Sequence, residues 1–198
     1  MSLSELWSLY GQNYIDALLA TWGMTLESFA IAMVLAVAVT VMRVSPLKPL
    51  RVFGDLYVQV FRNIPGIALL IIVVYALPPL KIVLPYRTCV IVATVLLGSA
   101  FGSENFMSGI NTVGVGQVEA ARSLGMSFSR ILAKIVIPQA LRSSVLPMTN
   151  LFIAVMLTTA LGSQVPLQPQ ELTGVVSYIN TRSLGGVAAF FISALGYL

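Results

Sequence analysis

Long apolar runs separated by short groups of charged residues are the main pattern along this chain. Residues 88–103 and 143–170 contain no Asp, Glu, Lys or Arg. A helix needs about 20 mainly apolar residues to cross a bilayer, whereas the strands of a membrane barrel alternate over about 10 residues. These runs are long and do not alternate. The pattern therefore predicts membrane-spanning helices near residues 22–43, 58–79, 88–110, 143–163 and 176–198.

Composition places the whole chain in the same class. Hydrophobic residues make up 58% of the 198 residues and charged residues 9%, with a mean hydropathy of +0.93. A soluble domain has about 25% charged residues. The sequence therefore predicts an all-α, polytopic membrane protein with about five spans in a single transmembrane domain, residues 1–198. Membrane lipid is an expected partner and nucleic acid is not.

The chain contains no His, and Cys89 is its one cysteine. Histidine is the commonest metal ligand and general base, and the carboxylates here are scattered over separate predicted elements. We therefore expect no catalytic residue, no metal site and no cofactor bound by this chain. A membrane enzyme is disfavoured for the same reason.

The basic residues are distributed unevenly between the predicted loops. Eight of the eleven lie in or beside two loops on the same side: Arg43, Lys48, Arg51, Arg62, Arg122, Arg130, Lys134 and Arg142. Because basic residues favour the cytoplasmic side, we expect the N-terminus to lie outside. Residues 1–20 contain Trp7 and Tyr10 and are predicted to form a helix at the outer interface. We also expect the natural chain to continue beyond Leu198, which lies inside the last predicted span.

The loop over residues 111–142 has a helical pattern of its own. Three glycines are expected to interrupt its backbone and to leave a short helix over about residues 117–124: Gly114, Gly116 and Gly125. Glu119 would lie in the first turn of this helix, where the helix dipole favours an anion. Ala120 and Ala121 would make the helix thin enough to enter a groove on another protein.

The same loop is expected to contain a second helix. Gly125 would end the first helix in a left-handed conformation, and Ser127 would cap the next. Pro138 is then predicted to bend the chain back toward the bilayer. From the residues alone, an amphipathic helix resting on the membrane surface is an equal alternative for this loop.

Several short motifs occur in a fixed order along the chain. Glu119-Ala120-Ala121, then Gly125, then Ile137-Pro138 resembles the EAA loop of ABC importer permeases. Further landmarks stand at suitable spacing: Gly23-Met24-Thr25-Leu26, Tyr57 to Pro65, Gly116-Gln117, Pro138-Gln139-Ala140 and Glu171-Leu172. From about residue 22 to residue 197 the chain resembles the polar amino-acid permease subfamily.

The resemblance implies a type I importer fold with five core spans per subunit, and two permease subunits side by side in a bacterial cytoplasmic membrane. The short loop helix would be the coupling helix, which docks in a cleft of a cytoplasmic ATPase dimer that binds ATP and Mg²⁺. The implied docking residues are Glu119, Ala120, Ala121 and Gly125, with Arg122 and Arg130 at the rim. An external solute-binding protein would deliver the cargo.

The chain departs from its relatives at two polar positions. The family typically reads Lys-Asp-Thr-Ser-Leu after the fourth span, where this chain has Leu157-Thr158-Thr159-Ala160-Leu161. Met107 stands three residues after Glu104, where relatives tend to have Arg. The loss of these polar groups favours pairing with a different, more polar permease over a homodimer.

Polar residues inside the predicted spans are candidates for function, because lipid tails solvate them poorly. Glu104 is a candidate for the pathway and equally for a structural hydrogen bond, and Glu27 can be solvated at the interface. Asn150, Thr158 and Thr159 are candidates to line a pathway or to join helices.

Three further residues are expected to have structural or hinge roles. Arg62 is predicted to extend to the inner headgroups. Pro65 is predicted to loosen the second span as a hinge, and Pro138 to turn the chain.

The residues do not fix the cargo. Family analogy favours an acidic amino acid, glutamate or aspartate, with three outer basic residues as its partners: Lys81, Arg87 and Arg182. Glu27 and Glu104 fit a basic or another polar amino acid better. An ATP-independent transporter or channel is a further alternative, which the long loop disfavours.

Overall fold

The computed structural model describes residues 2–182 and 186–198, and this part of the chain contains helices, turns and loops without a strand. The predicted all-α class is confirmed. The helices are α1 (Leu3–Val44), α2 (Lys48–Asn63), α3 (Gly66–Ile71), α4 (Tyr86–Asn111), α5 (Val115–Ser123), α6 (Phe128–Ile131), α7 (Ile137–Thr158), α8 (Leu172–Arg182) and α9 (Gly186–Leu195). Wide π-helical turns follow α3 and precede α7, at Ile72–Ala76 and Leu132–Val136.

Three helical stretches of the described chain are long and apolar enough to cross a membrane: Leu3–Val44, Tyr86–Asn111 and Phe128–Gln164. They contain the predicted spans 22–43, 88–110 and 143–163. The first has 42 residues and is about 63 Å long at 1.5 Å per residue, about twice the hydrocarbon thickness. The helix has no break near residue 20, so the predicted interfacial segment and the first span are one helix. The interfacial position of residues 1–20 stays a prediction.

The predicted span 58–79 is wrong as a single helix. Helix α2 ends at Asn63, and α3 begins at Gly66 after Pro65, whose backbone is extended (φ −57°, ψ 135°). Proline has no N–H to donate and disfavours helical geometry at the residue before it. Pro65 therefore ends a helix where a looser turn was expected.

The predicted span 176–198 is also wrong as a single helix. Its described residues form part of α8 and all of α9, while residues 183–185 of the prediction lie outside the described chain. The two helices pack on each other: the Ser193 hydroxyl donates to the Leu172 carbonyl, and the Tyr197 and Thr173 hydroxyls are 3.1 Å apart. The end of the apolar run therefore returns to the start of α8.

The helices contribute to two packing units. The first comprises Met1–Ile31, Ile64–Leu96 and Ile153–Leu198. Its buried cluster combines the start of α1 with α8 and α9: Leu6, Tyr14, Ala17, Leu172, Val175, Val176, Ile179 and Ala189. The Tyr14 hydroxyl donates to the Ala189 carbonyl at 3.0 Å, so the phenol is buried with its polar group bonded.

The second unit comprises Ala32–Asn63 and Leu97–Phe152. Small residues let its helices approach closely. A Cβ added at Gly102 would lie 2.8 Å from the Cβ of Ala36, and one added at Gly109 would lie 2.6 Å from the Ala140 carbonyl oxygen. Both distances are too short for a real side chain, so α4 packs against α1 and α7 through these two glycines.

Candidate functional site

The short helix of the 111–142 loop is present. Helix α5 runs from Val115 to Ser123, close to the predicted 117–124. Gly125 has φ +75°, its N–H donates to the Arg122 carbonyl at 2.9 Å, and the Met126 N–H donates to the Ala121 carbonyl at 3.1 Å. This pair of bonds is a Schellman motif. The prediction that Gly125 ends the helix in a left-handed conformation is confirmed.

Two local predictions for this helix are wrong. The predicted interruption at Gly114 is confirmed, since its extended backbone (φ −60°, ψ 129°) precedes α5, but Gly116 lies inside the helix instead of breaking it. Glu119 is therefore beyond the first turn, and the first turn contains no acidic residue. The helix dipole acts mainly within the first turn, so it does not explain Glu119.

The loop has a small apolar core of its own, which we call the loop core: Val113, Ala121, Ile131 and Val136. Ala121 is 3% exposed, and Met126 packs against the same cluster. The prediction of Ala121 as a contact with another protein is therefore corrected, since its methyl group is enclosed by its own chain. Ile131 is buried and Ile135 packs beside it, as their one-turn spacing indicates.

The other side of the loop is uncovered. Glu119, Ala120 and Arg122 are exposed, and so are the predicted rim residue Arg130 and Gly125. Three large apolar side chains of the loop, which sequence reasoning missed, are also exposed: Val115 is 71% exposed, Leu124 83% and Phe128 54%. We call these three residues the loop's apolar surface. The sequence signal that could have identified them is that all three are large apolar residues in a loop predicted to lie between two spans.

The loop continues directly into the next long helix. Pro138 is the second residue of α7 within the continuous stretch Phe128–Gln164, so the predicted bend at Pro138 is wrong. The π-helical turn Leu132–Val136 precedes it, and a wider turn accommodates a residue that lacks an N–H. The Gln139 side-chain amide donates to the Gln117 side-chain oxygen at 2.7 Å and to the Ile135 carbonyl at 3.0 Å. The hydrogen bond between Gln139 and Gln117 joins α7 to α5.

Charged residues of α1, α2 and α4 form an ion network in the second unit. The Arg43 Nε lies 2.9 Å from Asp55 Oδ1, and its Nη1 lies 3.1 Å from Glu104 Oε2. The same Nη1 donates to the Ser103 hydroxyl at 3.3 Å. Only 12% of the Arg43 side chain is exposed. Glu104 is therefore paired, which agrees with the structural alternative for this residue.

Arg62 belongs to the same network. Its Nη1 lies 3.6 Å from Glu104 Oε2, and its guanidinium lies 5.3 Å from the centre of the Phe101 ring. A cavity of about 350 Å³ beside these groups is also lined by Gln59 and Asn63. The guanidinium therefore contacts α4, and the extension of Arg62 to the headgroups stays a prediction.

The other polar candidates have different surroundings. Glu27 is paired with Arg87 at 2.8 Å, with 49% and 43% of their side chains exposed. The Thr158 and Thr159 hydroxyls donate to carbonyls of their own helical turns, Ala154 at 2.7 Å and Met156 at 2.6 Å. Asn150 is exposed. The described residues do not bring three His, Cys, Asp or Glu side chains together into a metal site.

Glu171 is a buried carboxylate that sequence reasoning named only as a landmark. It is 0% exposed and lies directly before α8. Its oxygens accept hydrogen bonds from the Thr173 and Gly174 N–H groups, both at 2.6 Å, and from the Tyr197 hydroxyl at 3.2 Å. Burial raises the pKa of Glu171, and these bonds to the ionised form oppose the rise. Glu171 caps α8 and ties the end of the chain to it.

Known proteins resemble this chain over most of its length. Residues 28–196 match the family described as "Binding-protein-dependent transport system inner membrane component". The glutamate transport system permease protein GluC of Corynebacterium efficiens is 33% identical, covering 99% of this chain and 91% of the relative. The L-cystine transport system permease protein TcyB of Bacillus subtilis is 32% identical, covering 95% and 81%. The probable glutamine ABC transporter permease protein GlnM of Bacillus subtilis is 35% identical, covering 76% and 68%.

Solved structures share the fold. A crystal structure of an amino acid ABC transporter with histidines matches with a TM-score of 0.92 and 25% identity, covering 100% of this chain and 91% of the other. The MetNI methionine ABC transporter in an inward-facing conformation matches with a TM-score of 0.71 at 20% identity, covering 98% and 90%. This chain belongs to the binding-protein-dependent transport family of inner membrane components, as a multi-pass permease subunit of an amino-acid ABC importer with the type I fold.

Proposed function

We propose that this permease is one half of the pathway of an ATP-driven amino-acid importer and that the 111–142 loop docks on a cytoplasmic ATPase. The observation that carries the docking is the loop's apolar surface. Val115, Leu124 and Phe128 are more than half exposed on a segment that already has a core of its own. Exposed apolar groups beside charged ones are typical of a surface that binds a partner.

The loop is built to transmit displacement. The loop core and the Schellman motif fix α5 against α6, and the Gln117–Gln139 hydrogen bond fixes α5 to α7. Because α6 and α7 belong to one helical stretch, a force on α5 reaches a membrane span without a flexible linker. Glu119, Ala120 and Arg122 would contact the ATPase with the loop's apolar surface, Gly125 would hold the turn, and Arg130 would lie at the rim.

The other parts of the importer follow from this assignment. The loop is cytoplasmic, so the N-terminus lies outside, in agreement with the positions of the basic residues. ATP and Mg²⁺ are bound by the ATPase dimer, and a solute-binding protein delivers the cargo on the outer side. A second permease subunit completes the pathway, and the loss of polar groups at Leu157 and Thr158 favours a different polypeptide. Asn150, Thr158 and Thr159 are the candidates for the pathway or for joining helices.

An acidic amino acid, glutamate or aspartate, is the proposed cargo. The likeness to the glutamate permease GluC supports it, although permeases named for cystine and glutamine have similar identities. Of the outer basic residues, Arg87 is paired with Glu27. Arg182 lies over the Tyr178 ring at 4.4 Å and lines a cavity of about 320 Å³. Uptake of labelled glutamate, glutamine and cystine by proteoliposomes of the complete importer tests this, and preferred uptake of glutamine or cystine would refute it.

Ala120→Trp tests the docking, with Ala133→Trp as the matched control, since both alanines are exposed and belong to the same loop region. A bulky ring at position 120 is expected to block the ATPase and to reduce ATP-dependent uptake by about tenfold or more, as for a central interface residue. The same change at position 133 should leave uptake near the unmodified level. Thermal unfolding in detergent shows whether the Ala120→Trp loop is folded. Unchanged uptake by folded Ala120→Trp protein would contradict the docking.

A further inference from the structure

A polar cavity of about 320 Å³ lies between helices α1 and α8 and the segment that precedes α8. We call it the α1–α8 cavity. All of its lining residues belong to the first unit, and those with polar side chains are Asn13, Asp16, Gln168, Gln170, Tyr178 and Arg182. Small-molecule sites begin at about 300 Å³, so the volume fits a small polar ligand. In the proposed orientation the cavity is on the outer side, because α1 begins there and α7 ends there.

Two helix faces bring opposite charges to this cavity. Asn13 and Asp16 are three residues apart on α1, and Tyr178 and Arg182 are four residues apart on α8, so the members of each pair share a helix face. The buried cluster of the first unit joins the start of α1 to α8. The positions of both faces are therefore fixed by the fold.

The Arg182 guanidinium is restrained but has no carboxylate partner. It lies over the Tyr178 ring at 4.4 Å, a favourable cation–π contact that limits its freedom. Within the described chain no ion pair includes Arg182. Its planar fork of N–H groups matches the two oxygens of a carboxylate. Arg182 is therefore ready to bind a carboxylate from outside the chain.

Asp16 presents the opposite charge. One of its oxygens, Oδ1, accepts a hydrogen bond from the Gln12 side-chain amide at 2.9 Å. An ionised carboxylate can accept about four hydrogen bonds, so capacity remains for a cation. None of the ion pairs of the described residues includes Asp16.

The cavity beside the ion network provides a contrast. It has a similar volume, about 350 Å³, and is also lined by arginines and carboxylates. Its Arg43 is already bonded to Asp55 and Glu104. Asp16 and Arg182 line one cavity but are not within the 4.0 Å of an ion pair. Opposite charges that face the same space without pairing suit a ligand that carries both charges.

We propose that the α1–α8 cavity receives a zwitterionic amino acid, whose α-carboxylate accepts from Arg182 and whose α-ammonium group donates to Asp16. The amides of Asn13, Gln168 and Gln170 would contact the ligand's side chain, and since amides donate and accept, they fit a carboxylate or a carboxamide. The proposal rests on the proposed function, which places the cavity where the cargo arrives. It does not depend on which amino acid is carried, because all of them share the zwitterionic group.

Binding of free ligands to the complete transporter, without the solute-binding protein, tests the proposal. Saturation-transfer NMR in lipid nanodiscs suits a weak site with a dissociation constant of about 1 mM. The probes are L-glutamine, its methyl ester, which lacks the carboxylate, and N-acetyl-L-glutamine, which lacks the ammonium group. We expect L-glutamine to bind about tenfold more tightly than either analogue, since each has lost a bond to a charged group. Equal binding of the three would overturn the proposal.

Two variants identify the partner of each ligand charge. Arg182→Gln should bind L-glutamine and its methyl ester equally but still discriminate against N-acetyl-L-glutamine, and Asp16→Asn should show the reverse, because removing both members of a contact costs no more than removing one. Glu5→Gln is the control: Glu5 is an exposed carboxylate of α1 outside the cavity, and this variant should keep both preferences. Thermal unfolding in detergent confirms that each variant is folded. Retained preferences in folded Arg182→Gln and Asp16→Asn, or an equal loss for all three ligands, would overturn the proposal.

Thiol protection locates the ligand independently of its affinity. In a Cys89→Ala background, Asn13→Cys lies in the cavity, whereas Ser8→Cys lies on an exposed part of α1 outside it. Saturating L-glutamine should slow the reaction of a water-soluble thiol reagent at position 13 by about tenfold and leave position 8 unchanged. Equal rates at position 13 with and without L-glutamine would overturn the proposal.

The proposed site and the proposed function fail in different experiments. ATP-dependent uptake of labelled amino acids by the complete importer measures the function, and the ligand preferences of Arg182→Gln and Asp16→Asn measure the site. Absent uptake with the expected preferences would refute the importer and support the site. Normal uptake without those preferences would refute the site alone.

Discussion

Two clusters of paired charges in this permease differ in the burial of their arginine, whereas their carboxylates are similarly exposed. In the ion network, Arg43 contacts Asp55 at 2.9 Å and Glu104 at 3.1 Å, and 12% of the Arg43 side chain is exposed. In the isolated pair, Arg87 and Glu27 are 2.8 Å apart, and 43% and 49% of their side chains are exposed. The shortest contact therefore belongs to the more exposed cluster.

The comparison teaches that distance alone does not rank ion pairs. An exposed pair gains little, because water and salt screen it and two long side chains lose freedom. A poorly exposed arginine that bonds several acceptors is different, since hydrogen bonds to charged groups contribute more than a single exposed ion pair. Arg43 connects α1 with α2 and α4, whereas Arg87 connects α4 with α1 through a single contact. The network should therefore stabilise the second unit more than the Glu27–Arg87 pair stabilises the first unit.

Arg43→Met should have the largest effect on stability. The poorly exposed Arg43 loses its hydrogen bonds to charged groups, whereas Asp55 and Glu104 are 45% and 40% exposed and water can solvate them. The free energy of unfolding should therefore fall by about 2 kcal/mol. Thermal unfolding of the purified permease in detergent measures the loss. Arg51→Met is the control, because Arg51 is exposed and has no ion pair among the described residues. Equal losses for the two variants would show that the network contributes little.

Glu104→Gln should have a smaller effect than Arg43→Met. The amide retains a hydrogen-bond acceptor for Arg43, which also keeps Asp55, while Arg62 loses its charged partner. We expect a loss of about 1.5 kcal/mol in the same unfolding experiment. The double variant Arg43→Met with Glu104→Gln should lose less than the sum of the two, because the residues share one contact. Strict additivity would argue against direct coupling.

Arg62→Gln should cost less than 1 kcal/mol, roughly the upper limit for an exposed ion pair. Its contact with Glu104 is 3.6 Å, and 40% of each side chain is exposed. Gln59→Ala is a suitable control, since Gln59 lines the same cavity without a charge. A loss as large as that of Arg43→Met would show that Arg62 is the centre of the network.

The sequence predicted those features that depend on local chemistry. The apolar run of α4 gave a span with ends within two residues, and Gly125 gave the end of α5 because few other residues adopt a left-handed backbone. Pro65 was recognised as a perturbation, but proline can kink a helix or end it. Which of these occurs depends on the packing of the flanking helices.

Side chains that depend on distant partners were not predictable in this way. Ala120 and Ala121 are identical in local sequence chemistry, and only the position of Val113 and Ile131 decides which one is buried. Glu104 is paired by arginines of two other helices, and no spacing rule connects residues so far apart in the chain. Residue types gave these candidates, and the tertiary structure assigned their roles.

Glu27→Gln should have the smallest effect on stability, and it gives the lower limit of the losses of unfolding free energy compared here. Both side chains of the Glu27–Arg87 pair are nearly half exposed, so the loss of unfolding free energy should be about 0.5 kcal/mol or less. The effect should shrink further in about 1 M salt, where the screening length is about 3 Å. Thermal unfolding at low and high salt measures both values, with Arg87→Gln as the reciprocal variant. A salt-independent loss comparable to that of Glu104→Gln would contradict this expectation, since it would mean that the pair is shielded from water and salt in the folded permease itself.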